Sequence, residues 1–333
     1  MLLSLVIPIY NEAEAFPLLL PELRCVLETL DCDYEIVFIN DGSRDSSLEQ
    51  LIAAAHADPH IKLLSFARNF GHQAAITAGI DFTSGDAVVV MDADLQDPPE
   101  LLRDMVAKYR EGYDVVSAQR AVRRGDGIFK RLSARFFYWV MQTMVDERIV
   151  PEVGDFRLFS RDAVAAIRGF REQHRFMRGL VAWLGLKEAI VPFSRNPRSA
   201  GETKYPLHKM LKFAWTAIAS FSALPLRMAT ALGLLLCVAG FSYLVYTLYV
   251  ALILKIALPG WTSIVVLQCL FSGVTLLCLG LIGDYVARIF DESKYRPLYV
   301  LNKTVNIRVA DFPARRAVVL PRCEQEATAS VNR

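Results

Sequence analysis

Charge is scarce in this chain and unevenly spread. Only 22% of its 333 residues are Asp, Glu, Lys or Arg, against 53% hydrophobic. That balance excludes intrinsic disorder, which needs low hydrophobicity and high net charge. Neither sign of charge dominates: 37 Lys and Arg stand against 35 Asp and Glu. A net charge of +2 creates no global basic field, so no nucleic-acid partner is expected. Cysteine is also sparse, and six in the whole chain make no disulfide scaffold. Cys25, Cys32 and Cys323 show no metal spacing, while Cys237, Cys269 and Cys278 fall in apolar runs. Free thiols in a reducing compartment are therefore expected. Two phosphate-binding signatures are missing as well. No Gly-x-Gly-x-x-Gly follows the first apolar run and no Walker A motif occurs, which weighs against dinucleotide and P-loop readings. Met1 to Tyr10 is apolar but has no basic flank and runs into Asn11-Glu12, so a signal peptide is not expected.

The missing charge has a location. Met228 to Leu254 holds no Asp, Glu, Lys, Arg or His, and after Lys255 the stretch Ile256 to Gly283 is equally bare. About 20 apolar residues cross a hydrocarbon core of ~30 Å, so both runs are long enough to span a membrane. Pro259-Gly260 supplies a turn between them and Trp261 an interfacial anchor. Lys209, Lys212 and Arg227 precede the first run; Arg288, Lys294, Arg296, Lys303 and Arg308 follow the second. Basic flanks mark the cytoplasmic side. The pattern predicts a multi-pass protein of the inner (plasma) membrane, with both ends cytoplasmic and the lipid bilayer as a partner.

The first two hundred residues read differently. Strands are predicted at Leu3–Ile9, Tyr34–Asn40, Ile61–Phe66, Asp86–Met91 and Asp114–Gln119. Helices are predicted near 14–30, 46–57, 72–83 and 98–110. Apolar β-branched runs alternating with helices predict an α/β, mostly parallel sheet covered on both faces. Ligands of such sheets sit beyond the carboxyl ends of the strands. Polar clusters follow the strands there: Tyr10-Asn11-Glu12, Asp41-Gly42-Ser43 and Asp92-Ala93-Asp94.

Asp92 and Asp94 fall on one side of an extended segment. Two such carboxylates suit a hard cation that also keeps water and phosphate oxygens, Mg²⁺ or Mn²⁺. A turn is an equal reading of a bare Asp-x-Asp. Asp97 with Pro98 reads as a helix start, Glu12 could cap a helix, and Asp41 could form an Asx-turn with Gly42. His72 reads as a surface residue at a helix start, and Arg68 as a nucleotide contact.

Three separated motifs then agree. Val6-Ile-Pro8-Ile-Tyr10-Asn11-Glu12, Asn40-Asp41-Gly42-Ser43 and Asp92-Ala-Asp94-Leu-Gln96-Asp97-Pro98 together resemble the catalytic domain of glycosyltransferase family 2 over about residues 3–225. The resemblance implies a GT-A (Rossmann-like) fold in which Pro8, Tyr10, Glu12, Asp41 and Asp92 bind the nucleotide. It also implies Asp92, Asp94 and Gln96 at a metal and the diphosphate. Val153-Gly154-Asp155-Phe156-Arg157 is similar to the acceptor motif of polyprenyl-phosphate sugar transferases, the dolichol-phosphate mannose synthase-like branch. Arg198-x-x-Gly201-Glu-Thr203-Lys204-Tyr205 is similar to their basic loop. Ser220-Phe-Ser-x-x-Pro225-Leu-Arg227 and the two apolar runs extend the similarity to bacterial bactoprenol glucosyltransferases, up to about residue 308.

That likeness implies catalytic roles for Asp94 and Asp155. Asp155 would orient the acceptor or assist its deprotonation; a helix cap next to Gly154 is the plainer alternative. Arg120, Arg131 and Arg135 are phosphate candidates because guanidinium forks suit phosphate. Arg157, Arg198, Lys204 and Tyr205 join them at the acceptor by resemblance. The segments 129–139 and 206–223 mix basic and aromatic residues as interfacial helices do. The expected organisation is a catalytic domain over 1–205, a juxtamembrane amphipathic helix over 206–227, two membrane helices within 228–287 (about 228–254 and 261–283) and a cytoplasmic tail over 288–333. The expected reaction is metal-dependent, inverting transfer of one hexose, glucose from UDP-glucose, to undecaprenyl phosphate for cell-envelope glycosylation. Mannose or an aminosugar, a processive synthase, and a non-catalytic sugar-nucleotide binder are the alternatives. A homo-oligomer, a tetramer by resemblance, is expected.

Overall fold

The computed structural model describes residues 1–120, 142–143, 148, 150–194, 219, 222–253, 260–307 and 317–319. Among them nine strands form one sheet: β1 (Leu2–Ile9), β2 (Asp33–Asn40), β3 (Ile61–Phe66), β4 (Ala87–Val90), β5 (Val115–Arg120), β6 (Val153–Ser160), β7 (Glu188–Phe193), β8 (Tyr299–Val305) and β9 (Ala317–Val319). Their order is β7-β5-β6-β4-β1-β2-β3-β8-β9. The centre, β4-β1-β2-β3, is parallel throughout. β6 runs antiparallel between β4 and β5, and β8 antiparallel to β3.

The parallel centre follows from composition. Strands buried on both faces read as continuous apolar runs, and Leu3, Leu5, Val6, Ile7 and Ile9 of β1 are fully buried. Alternate residues serve opposite faces. Leu5, Ile7 and Ile9 join the core under α1 (Phe16–Leu27), α2 (Ser47–Ala57) and α4 (Leu101–Arg110). Val6, Val37 and Ile39 join the core under α3 (His72–Phe82), α5 (Arg161–Gly169) and α6 (Met177–Leu184). Gly79 lets α3 lie close on the sheet, because a β-carbon there would collide with Val6 and Ile39.

Four strands, β6 to β9, lie in segments that the apolar pattern of the first 120 residues does not reach. β6 occupies the acceptor-like motif itself. β8 belongs to the segment expected as a tail, so part of 288–333 returns to the sheet. Its Tyr299 and Leu301 are fully buried in the second core. Burial of a large apolar side chain contributes about 1.5–3 kcal/mol, enough to hold a short strand on an otherwise open sheet edge.

The apolar runs form α7 (Leu224–Leu252) and α8 (Trp261–Ser293), both long and apolar enough to cross a membrane. Their most apolar windows are wholly unburied within the chain. α8 continues past Gly283, where the apolar run ends. Arg288 pairs with Asp284 one turn earlier, and Pro297 follows only after Lys294, so nothing breaks the helix sooner.

Candidate active site

The carboxyl ends of β1, β2, β3 and β4 carry the polar loops onto one edge. Antiparallel β6 starts at that same edge. Val90 of β4 pairs with Arg157 of β6, so the register continued two residues sets Asp92 opposite Asp155. This pairing brings together two carboxylates 63 positions apart in sequence, counting from 92 to 155.

Between them stands His72, the first residue of α3. Its Nε2 lies 3.2 Å from Asp155 Oδ2 and 3.6 Å from Asp92 Oδ1. Arg178 Nε lies 3.4 Å from Asp155 Oδ1, and Gln73 Nε2 donates to Asp155 Oδ2 at 3.4 Å. Burial by itself would raise the Asp155 carboxyl, but the His72 hydrogen bond and the Arg178 and His72 charges outweigh it. Asp155 is held well below the usual carboxylate range. Burial likewise opposes the His72 imidazolium, yet Asp155 and the Asp92 charge raise it above its ordinary value. Asp92 moves the other way. Burial raises it, and the Asp155 and Asp94 carboxylates add to that rise against His72 and Arg120. The edge therefore sets Asp92, whose ionisation burial and its acidic neighbours oppose, beside an ionised Asp155.

The remaining expected residues divide. Leu95 takes a left-handed turn (φ 57°), and Asp94 Oδ1 accepts from the Gln96 N–H at 3.2 Å, which closes the Asp-x-Asp loop locally. Gln96 is buried. Pro8 pairs with Ile39 inside the sheet, and Tyr10 is exposed at the end of β1. The Glu12 carbonyl accepts from the N–H groups of Ala15 and Phe16, so its backbone starts α1. Asp41 makes no Asx-turn with Gly42; Asn40 supplies that contact by accepting from the Ser43 N–H. Asp41 is buried and accepts from Phe70 N at 2.7 Å and Gly71 N at 3.0 Å, fixing the loop that presents His72. Gly42, at φ 68°, permits this approach, since a β-carbon there would sit 2.6 Å from the Arg68 carbonyl carbon. Arg68 is exposed and stacks on Phe70.

Arg120 ends β5 beside Gly154, and its Nε is buried without a hydrogen-bond partner among the described residues. Arg157 is the strand residue expected at the acceptor. It is buried within β6, donates to the Gly154 carbonyl at 3.3 Å and lies 4.0 Å from Glu188. Its strand neighbours are Phe156 and Leu158, and the Glu188 and Asp155 charges both act on it. Arg131, Arg135, Arg198, Lys204 and Tyr205, with the segments 129–139 and 206–218, lie outside the described residues. His72 is exposed at the start of α3, as expected, and it also belongs to the carboxylate cluster. No sequence pattern singled out Gln73 and Arg178, because their partners come from β6 and α6.

Residues 4–168 match the family model described as glycosyl transferase family 2. The chain is 46% identical to an uncharacterized glycosyltransferase, YkcC, of Bacillus subtilis strain 168, over 91% of this chain and 94% of that protein. It is 39% identical to a prophage bactoprenol glucosyl transferase homolog of Escherichia coli strain K12, over 91% of this chain and 99% of that protein. A bactoprenol glucosyl transferase of Shigella phage SfV is 39% identical over 90% of this chain and 98% of its own length. With the expected sheet, the acidic edge and relatives aligned over nearly the whole chain, the protein belongs to glycosyltransferase family 2.

Proposed function

We propose that this glycosyltransferase moves one glucose from UDP-glucose to undecaprenyl phosphate at the cytoplasmic face of the membrane, with inversion at the sugar carbon. The observation that carries the reading is the acidic edge, Asp92 and Asp94 across from Asp155, with Arg120 and Arg178 beside it. Full-length similarity to bactoprenol glucosyl transferases supports the acceptor and the sugar.

A divalent cation fits the donor set. Among the described residues no group of three or more His, Cys, Asp or Glu could hold a metal by itself. Mg²⁺ and Mn²⁺ sites of this kind use one or two carboxylates and complete their shell with substrate phosphates and water. Asp92 and Asp94 would hold the ion, and a cation there would offset the crowding of Asp92 by Asp94 and Asp155. Bound there, it would neutralise charge developing on the departing diphosphate. Arg120, with a buried unpaired donor, suits a phosphate oxygen.

Asp155 is ionised but too weak a base to strip a strongly held proton. A lipid phosphate is already largely ionised near neutral pH, so its oxygen needs little deprotonation. Asp155, held by His72 and Arg178, serves to orient the acceptor. Orientation of this kind supplies much of a two-substrate rate enhancement. The helices α7 and α8 would span the bilayer, bringing this edge to the phosphate of a long-chain lipid.

The test is transfer by the full-length chain in lipid vesicles containing undecaprenyl phosphate, with labelled UDP-glucose, GDP-mannose and a UDP-aminosugar offered separately. Label in the lipid extract from UDP-glucose is expected. Label from another donor replaces the sugar assignment, and no lipid-linked label from any donor overturns the proposal.

A further inference from the structure

Between α5 and α6 the chain crosses from the end of α8 to the acidic edge. At its outer end the Gln173 N–H donates to Glu292 Oε1, and Gln173 Nε2 donates to the Arg296 carbonyl at 2.6 Å. His174 Nε2 lies 3.6 Å from Asp291 Oδ2. All three contacts grip the last turn of α8 and the residues just beyond it. Nearby, Arg171 makes two 2.7 Å bonds to Asp81, which also accepts from Tyr299 Oη of β8 at 2.8 Å. At its inner end the Met177 N–H, an unpaired donor of the first turn of α6, reaches Gln73 Oε1 at 3.1 Å. The other end of that same amide, Gln73 Nε2, faces Asp155 Oδ2. Arg178 completes the span on Asp155 Oδ1.

The Gln73 amide has one usable orientation. Turned over, it would set its oxygen against a carboxylate and its NH₂ against the Met177 N–H, two repulsive contacts in place of two bonds. The position of Met177 therefore determines where Gln73 holds Asp155, and the grip on α8 determines the position of Met177. Sequence alone gives no sign of this chain of contacts, since it joins residues near 73, 155, 175 and 292.

We propose that Phe170–Arg178 is a strap that sets the position of Asp155 from the seating of α8, with Gln73, Gln173 and Glu292 as positioning residues. The inference rests on the proposed transfer to a membrane lipid: the helix that sits in the bilayer also aims the residue that orients the lipid phosphate. An error of about 1 Å at such a group costs up to ~10²-fold in rate, so a slack strap lowers turnover without changing how the nucleotide sugar binds.

The experiment uses the full-length chain in vesicles, as wild type, Glu292→Ala, Gln73→Met and the double variant. Gln173→Ala probes the outer end if Glu292→Ala does not fold. Amide hydrogen exchange across residues 173–180, which requires no substrate, is read beside kcat and the KM for UDP-glucose. Faster exchange at Met177 is expected in Glu292→Ala, a change at the outer end of the strap where the Gln173 N–H is held, together with a roughly tenfold fall in kcat and an unchanged donor KM. The double variant is expected to be no slower than the worse single one, because both cut the same strap. Unchanged exchange at Met177 in the outer-end variant, or single effects that multiply, overturns the strap. If the wild type transfers no sugar to the lipid, the proposed reaction fails, and the exchange result alone still decides whether the strap exists.

Discussion

The two ends of the central parallel strands treat their carboxylates in opposite ways. At the amino end, Glu35 is buried and fully served: Ser4 Oγ, Ser84 N, Ser84 Oγ and Lys62 Nζ all donate to it. Burial works to raise its carboxyl, but the Lys62 and Ser4 hydrogen bonds prevail and hold it below the ordinary range. At the carboxyl end, burial and the neighbouring Asp155 and Asp94 carboxylates push Asp92 up. A satisfied network stiffens a fold, whereas crowded like charges cost stability and await a counter-charge. One sheet thus keeps a structural end and an acidic end about one strand length apart.

The largest effect should come from the acidic end. Asp92→Asn or Asp94→Asn is expected to lower transfer by roughly 10²–10³-fold, the scale seen when a charge-stabilising group is removed. In EDTA, the thermal midpoint of Asp92→Asn should not fall, because the substitution relieves repulsion; a large drop would break the contrast. Asp155→Asn should cost about 10²-fold in kcat through lost orientation. Unlike Asp92→Asn, it should also lower the midpoint, since His72 and Arg178 lose their partner.

At the structural end, Glu35→Gln should cost about 1–3 kcal/mol in unfolding measurements, the penalty of a broken buried network, with kcat per folded molecule unchanged. The pH dependence follows from the sign of the shift. A Glu35 pKa lowered below its ordinary value near 4.5 gives stability that is present above that pH and lost as pH falls through the depressed value. Wild type should lose this increment in acid and Glu35→Gln should not. His72 carries the smallest effect and the opposite sign. Its raised pKa gives stability that is full below about 6.5 and lost as pH rises through the higher folded value. At a partly exposed site, His72→Gln should change stability by less than ~1 kcal/mol.

How much of this was legible depended on how far apart the partners lie. β1 to β5 follow from local apolar runs with polar loops behind them, and their positions agree with expectation to within a residue or two. The Asp92-x-Asp94 loop is legible for the same reason. β6 carries a legible motif but no strand signature, because its antiparallel pairing between β4 and β5 leaves no local mark. β8 alternates in the manner of a strand but follows a long apolar helix, and Tyr299 finds Asp81 across 218 positions. His72, Gln73 and Arg178 acquire their roles only through Asp155, whose location depends on the β4–β6 register. Arg157 illustrates the converse: the motif marks it for the acceptor but gives no sign of its burial in the sheet beside Glu188.

The central claim is that the Asp92, Asp94 and Asp155 edge is the seat of a metal-assisted sugar transfer. The most direct measurement titrates Mn²⁺ or Mg²⁺ into the EDTA-stripped full-length chain and follows labelled glucose from UDP-glucose into undecaprenyl phosphate, for wild type and Asp94→Asn. The account predicts no transfer by the stripped wild type, a saturable rise with added metal, and a variant whose rise is far smaller and needs more metal. Transfer by the stripped wild type at the full rate, or an Asp94→Asn variant that titrates like wild type, would contradict it.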